Sequence, residues 1–191
     1  MKKTVMYFIS ATLLVLYLFV LAKSFDTSNT PELYQKYFVT NEMKYYNTQE
    51  KFISDYSVDT LCNYSADGNY KNHGTGWLYP EETATWTEGN KSDMYFYISD
   101  PSASYTFQIT VLNEMGYNNR LFVNGIDKGA LTFENGVAEI NISDGLFEGI
   151  NTFSICTEDN VVKYNESHPE SDDSRRINLY VKEVILYTSS H

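Results

Sequence analysis

Residues 120–143 read RLFVNGIDKGALTFENGVAEINIS. Asn124-Gly125 separates the apolar run Arg120–Val123 from a second run ending in GALTF. An Asn-Gly pair in this setting signals a two-residue hairpin, because a type I′ turn needs positive φ at both central residues. Glu134-Asn135-Gly136 marks the next turn, and in the VAEINIS that follows Ala138, Ile140 and Ile142 share one face. The stretch therefore reads as strand, hairpin turn, strand, turn, strand, and the chain around it is read with period two.

Outward from this stretch the same period continues. YTFQITVL at 105–112 puts Tyr105, Phe107, Ile109 and Val111 on one face and Thr106, Gln108 and Thr110 on the other. DMYFYIS at 93–99 is nearly continuous apolar, as in a strand buried on both faces, and Asp100-Pro101-Ser102 ends it. YSVDTLC supplies a first strand, and TFSICT follows a turn at Gly149-Ile-Asn151. In INLYVKEVILY at 177–187 the apolar phase is odd at Ile177, Leu179 and Val181 and even at Val184 and Leu186. That slip predicts a β-bulge at Lys182-Glu183. Eight or nine short strands separated by turn residues predict an all-β domain, a β-sandwich or jelly roll. The 17 Tyr and 11 Phe agree with strands, where aromatic rings suit a half-buried pleated surface.

The N-terminus sets the expected location. Behind Met1-Lys2-Lys3, Val5–Ala22 carries no charge, and a helix of that length spans about 27 Å against a hydrocarbon core of about 30 Å. The run reads as a transmembrane signal-anchor. Val20-Leu-Ala22 also fits a cleavage pattern, so a cleaved signal peptide stays open. The basic residues hold the N-terminus inside and place the rest outside, a single-pass protein of the cell membrane. The expected organisation is a cytoplasmic end at 1–4, a membrane span at 5–22, a stalk with a short helix at 23–52, and an extracytoplasmic sandwich at 53–191.

Beyond residue 26 the chain holds 11 Lys+Arg against 24 Asp+Glu, a net of −13. That surface disfavours nucleic acid and anionic lipid as partners. Cys62 and Cys156 sit in apolar runs, TLC and FSIC; an exported chain can join them in a disulfide or bury them as two thiols.

The stretch Arg120–Cys156, with Val123-Asn124-Gly125, Gly129 and Leu146…Gly149-Ile-Asn151, is similar to the core of galactose-binding-like sandwiches. Residues 76–187 also resemble the sandwich domain attached to bacterial membrane glycosyltransferases and phosphoglycerol transferases. The opening that carries this resemblance is Gly76, Trp77, Pro80, Glu81, Trp86, Thr87 and Gly89. Its closing is Pro169, Ser171, Asp173, Ser174, Arg175, Arg176 and Ile177. Asn178 stands where that family usually has Gly, and Asn also tolerates positive φ. The resemblance implies a galactose-binding-like jelly roll working beside an envelope glycosyltransferase.

Two stretches are candidate sites. GWLYPEETATWTEG at 76–89 holds the only two tryptophans, nine positions apart. An indole face suits the C–H patches of a sugar, and carboxylates accept its hydroxyl hydrogen bonds. Trp77, in an irregular segment with Glu81 nearby, is the expected ligand edge; Trp86, between Thr85 and Thr87, is the expected core residue. The second stretch is the long run 158–176, where Asp173, Arg175 and Arg176 precede a strand and could bind an anionic group or pair internally. His73, His168 and His191 lie in no catalytic or metal-binding spacing. No Asp-x-Asp-x-Asp-Gly run is present, so no cofactor is expected and calcium is the one cation to consider. The expected function is a non-catalytic, membrane-anchored module that binds carbohydrate or assists cell-envelope glycan synthesis. The alternative is a structural or protein-interaction ectodomain.

Overall fold

The computed structural model describes residues 12–17 and 56–189. The expected cytoplasmic end and stalk lie outside the described residues, as does all of the run 5–22 except residues 12–17, which are helical. Among the described residues no helix is long and apolar enough to cross a membrane.

Nine strands follow in order: β1 Leu61–Asn63, β2 Thr85–Glu88, β3 Lys91–Ile98, β4 Tyr105–Glu114, β5 Asn119–Val123, β6 Ile126–Ala130, β7 Val137–Ile142, β8 Gly149–Thr157 and β9 Ile177–Thr188. One sheet has the order β1-β9-β4-β7, with β2 pairing the N-terminal half of β9 beside β1; the other has the order β3-β8-β5-β6. Every strand pair is antiparallel. The sheets pack face to face: the Phe107 ring of β4 stacks on Phe153 of β8 at 5.8 Å, and Phe96 of β3 meets Phe153 edge-on at 5.1 Å. The domain is an all-β sandwich, consistent with a jelly roll.

The alternations set the layers. Tyr105, Phe107, Ile109 and Val111 are buried, as are Ala138, Ile140 and Ile142, so β4 and β7 feed one core. Burying each of the larger side chains among them is worth about 1.5–3 kcal/mol. The hairpin turn between β5 and β6 has the expected geometry, with Asn124 at φ +51° and Gly125 at φ +82°. Its return strand is Ile126–Ala130 rather than GALTF. The first strand is likewise shorter than YSVDTLC, because Asp59 turns the chain at φ +66° and only Leu61–Asn63 pairs with β9.

The phase slip in β9 is a bulge. Thr110 of β4 opposes Glu183 while Val111 opposes Val181, leaving Lys182 extra. One step on, Asn113 opposes Tyr180, leaving Leu112 of β4 extra and half exposed. Asn178 does not take positive φ. It lies within β9, and its amide exchanges reciprocal hydrogen bonds with the Asn119 amide of β5 at 2.6 and 3.1 Å. Both are buried, so the pair ties the two sheets together with each amide satisfying the other.

β3 is buried on both faces from Asp93 to Phe96 because its outer edge is not free. Gly74 N donates to Asp93 O at 2.7 Å, Asp93 N to Thr75 O at 2.9 Å, and Tyr95 N to Asn72 O at 2.9 Å. The segment 72–75 thus lies along β3. Gly76 must be glycine: at φ +77°, a Cβ there would lie 1.9 Å from Lys91 O.

Candidate functional site

The sequence-predicted residues divide. Glu81, Asp173 and Arg175 come together, Arg176 stands apart, and Trp77 is elsewhere. Arg175 Nε and Nη2 donate to the Asp173 carboxylate at 2.7–3.0 Å, and Nη1 donates to Glu81 Oε1 at 3.1 Å. The other Glu81 oxygen accepts from Tyr180 Oη at 3.0 Å. The guanidinium beside Asp173 holds that carboxyl below the usual carboxylate range, and the two carboxylates together raise Arg175. These groups spend their hydrogen bonds on each other. They clasp the long loop, whose helical turn Tyr164–Ser167 is tied back by Tyr164 N to Arg175 O and Asn165 N to Asp173 O, against the turn before β2. The Arg176 side chain is exposed, and its carbonyl accepts from Gly89 N at 2.7 Å.

Both tryptophans are buried, so Trp77 departs from its expected role while Trp86 keeps to it. Trp77 is 4% exposed, its Nε1 donates to Asp93 O at 2.7 Å, and its ring stacks on Tyr64 at 4.7 Å and His73 at 5.7 Å. It is a core residue and offers no face to a ligand. In β2, Thr85 and Thr87 point inward instead. Thr85 Oγ1 donates to Tyr64 O, and Thr87 Oγ1 accepts from Leu179 N at 2.9 Å. Trp86 points to the other side of its sheet but is still buried, 9% exposed, flat against Tyr180 at 4.6 Å, the residue that Glu81 holds.

Cys62 and Cys156 are free thiols. Cys62 is in the core, where burial pushes its thiol up to about 12. Cys156 alternates with the core residue Ile155 and faces out from β8, so no disulfide joins them.

A cavity of about 510 Å³ opens over the outer face of the four-stranded sheet. It is built from residues on the outward side of the strands, Lys91 and Asp93 of β3, Thr152, Ser154 and Cys156 of β8, and Phe122 of β5, with the fully buried Tyr95 beneath. The turn Asn124-Gly125 and Thr75 close two sides. The strand register sets the rows: Asp93 opposes Ser154, which opposes Phe122, and Lys91 opposes Cys156. Asp93, 5% exposed, is fully engaged, accepting from Ser154 Oγ at 2.5 Å and Thr75 Oγ1 at 3.0 Å and pairing with Lys91 Nζ at 3.1 Å. Asn124 is held by Nδ2 bonds to Gly145 O and Asn151 Oδ1. The cavity thus presents donors and acceptors fixed by the sheet beside one partly exposed aromatic ring, Phe122. Burial raises the Cys156 thiol, with Lys91 opposing the shift. Among the described residues no group of three His, Cys, Asp or Glu side chains is placed to hold a metal ion.

Sequence reading missed this cavity because its residues come from three strands and two turns, and the one motif among them, Asn124-Gly125, reads as a hairpin turn. The signal present was the polar phase of the strands, Asp93 within DMYFYIS and Ser154 within TFSIC, which alternate with the core positions.

No protein-family model matches the chain, and no curated protein matches it. Among solved structures it is similar to a family 35 carbohydrate binding module from Clostridium thermocellum, at 15% identity and TM-score 0.39, covering 68% of this chain and 99% of that one. It is also similar to the CBM36-1 domain of a multidomain xylanase from the hindgut metagenome of Trinervitermes trinervoides, at 16% identity and TM-score 0.38, covering 69% and 98%. The CBM35 from Paenibacillus barcinonensis matches at 14% identity and TM-score 0.32, covering 72% and 96%. Likenesses this distant carry no argument about activity; the fold rests on the two sheets themselves.

Proposed function

We propose that the chain is a non-catalytic carbohydrate-binding module, anchored in the cell membrane by residues 5–22 with its sandwich outside, and that the glycan lies in the cavity over the four-stranded sheet. The observation that carries this reading is the cavity lining. A sugar ring needs a flat apolar face and several fixed hydrogen-bond groups around it. Phe122 offers the face, and Thr152, Ser154 and Lys91 offer the polar groups. The volume, about 510 Å³, falls within the usual range for small-ligand sites. Asp93 is committed to three partners, which suits it to ordering Lys91 and Ser154 rather than to exchanging protons with a substrate. With an outward-facing module on a membrane anchor, a cell-envelope glycan is the ligand class, and an envelope glycosyltransferase the partner.

A second reading, a protein-interaction ectodomain, draws on Tyr79, whose side chain is 78% exposed beside the closed Glu81–Arg175 clasp.

The test is titration of the full chain, in lipid nanodiscs, with a panel of soluble oligosaccharides. Phe122→Ala should weaken binding by about tenfold or more, the loss of roughly 1.4 kcal/mol of stacking, while leaving the fold intact. A panel in which nothing binds, or a bound glycan indifferent to Phe122, contradicts the reading.

A further inference from the structure

A second cavity, of about 470 Å³, is lined by Ser104, Thr106, Asn141, Ile142, Ser143, Tyr187 and Ser189. Its base is one cross-strand row of the other sheet: Asn141 of β7 opposes Thr106 of β4, which opposes Tyr187 of β9. These three alternate with the core residues Tyr105, Phe107, Ile140, Ile142 and Leu186. They face away from the sandwich interior on the side opposite the first cavity.

The lining holds no charged side chain, in a domain whose surface is strongly acidic. Thr106 Oγ1 donates to Asn141 Oδ1 at 2.9 Å and lies 2.9 Å from Ser189 Oγ, which fixes the middle of the row. Among the described residues, the hydroxyls of Ser104 and Ser143 and the Nδ2 of Asn141 make no hydrogen bond. They remain available around the half-buried Tyr187 ring. Uncharged hydroxyl and amide groups beside an aromatic ring match a neutral, polyhydroxylated ligand; an ionic ligand finds no counter-charge there.

We infer that the sandwich is bivalent: this second cavity binds a neutral saccharide on the face opposite the first, so that one module holds two glycan segments at once. The inference rests on the carbohydrate reading of the first cavity. Two packed sheets are about 10 Å apart, so ligands on their outer faces are separated by the whole sandwich. A short oligosaccharide cannot reach both cavities, and the two sites act on separate chains or on distant parts of one. Tethering of that kind multiplies avidity for a meshwork without any new contact.

The test counts sites. The full chain in nanodiscs is titrated calorimetrically with neutral hexamers of β-1,4-linked glucose, xylose and N-acetylglucosamine. Two bound hexamers per chain are expected for at least one of them. Ser143→Arg, which fills the second cavity from an exposed position, should reduce the count to one, as should Thr152→Arg in the first cavity; the double variant should bind none. If Ser143→Arg does not fold, Ser104→Arg blocks the same cavity from the other side. One bound hexamer, lost with Thr152→Arg and untouched by Ser143→Arg, overturns bivalence and leaves the carbohydrate reading standing. No bound hexamer of any kind overturns both.

Discussion

At the scale of single residues the two tryptophans teach most. The run Thr85-Trp86-Thr87 has an alternation that a sequence displays without saying which phase is inside. Burying the larger apolar side chain alone is the natural expectation, and the protein buries all three, with Trp86 covered against Tyr180 rather than in the space between the sheets. The buried threonines are tolerable because their hydroxyls bond the backbone at Tyr64 and Leu179, which removes the cost of burying a polar group. Trp77, arriving from an irregular segment, pairs with Thr87 in a β-bridge, stacks on Tyr64 and is locked by the bond from its Nε1 to Asp93 O. Trp77→Ala should accordingly cost about 3–5 kcal/mol in unfolding free energy, as large-to-small core changes do. Trp86→Ala, which strips a ring from the outer side of Tyr180, should cost clearly less. Chemical denaturation of the two variants compares them directly; equal losses, or a larger loss at Trp86, contradict this assignment.

At the scale of elements much was legible. The hairpin at Asn124-Gly125 follows from turn chemistry alone, and the bulge at Lys182 follows from a one-residue change of apolar phase in β9. The compensating extra residue at Leu112 was not legible, since β4 keeps its alternation up to that point. Of the long loop, Asp173–Arg175 and a pairing of Glu81 with an arginine were both legible, but the arginine that meets Glu81 is Arg175 and not Arg176, which becomes evident only when β2 and β9 lie side by side. Asn178 shows the limit of the resemblance: the position was expected to turn, and it runs straight through a strand because its amide is needed by Asn119.

The clasp has a consequence in pH. The carboxyl of Asp173 is lowered in the folded protein, chiefly by its hydrogen bonds from Arg175. Its contribution is therefore fully present above the ordinary Asp value of about 3.9 and is lost as pH falls below that toward the folded value. Arg175→Gln should lower the melting temperature at neutral pH, with the difference from the parent shrinking as the pH is taken below about 3.9. Because the pair is partly exposed, the effect should also shrink at high salt. A difference that stays constant down to acid pH would show that Arg175 acts through packing and not through its charge.

At the scale of the whole molecule, the sandwich turns its alternating strands into two chemically different outer faces. One carries a cavity with a buried carboxylate, a lysine and Phe122; the other carries a cavity of hydroxyl and amide groups around Tyr187. Neither is written in any contiguous stretch, because each collects every second residue from several strands that meet only in the folded sheet. The candidates chosen from local motifs turned out to be the core and the clasp that hold these faces in place. The architecture was thus readable from alternation and turns, and the site was not.

The cavity over the four-stranded sheet contains its own reporter. Cys156 lines it, whereas Cys62 is enclosed in the core with its thiol pushed up to about 12 by burial. Thiol alkylation of the native chain should therefore modify Cys156 and spare Cys62. The decisive measurement is the rate of Cys156 alkylation with and without an oligosaccharide that binds. At a ligand concentration about ten times its dissociation constant, occupancy of the cavity should slow the reaction by about tenfold, and Phe122→Ala, binding about tenfold or more weakly, should bring the rate back to about half the free rate or above. A glycan that binds the chain at that concentration yet leaves the Cys156 rate unchanged contradicts the placement of the ligand on this face.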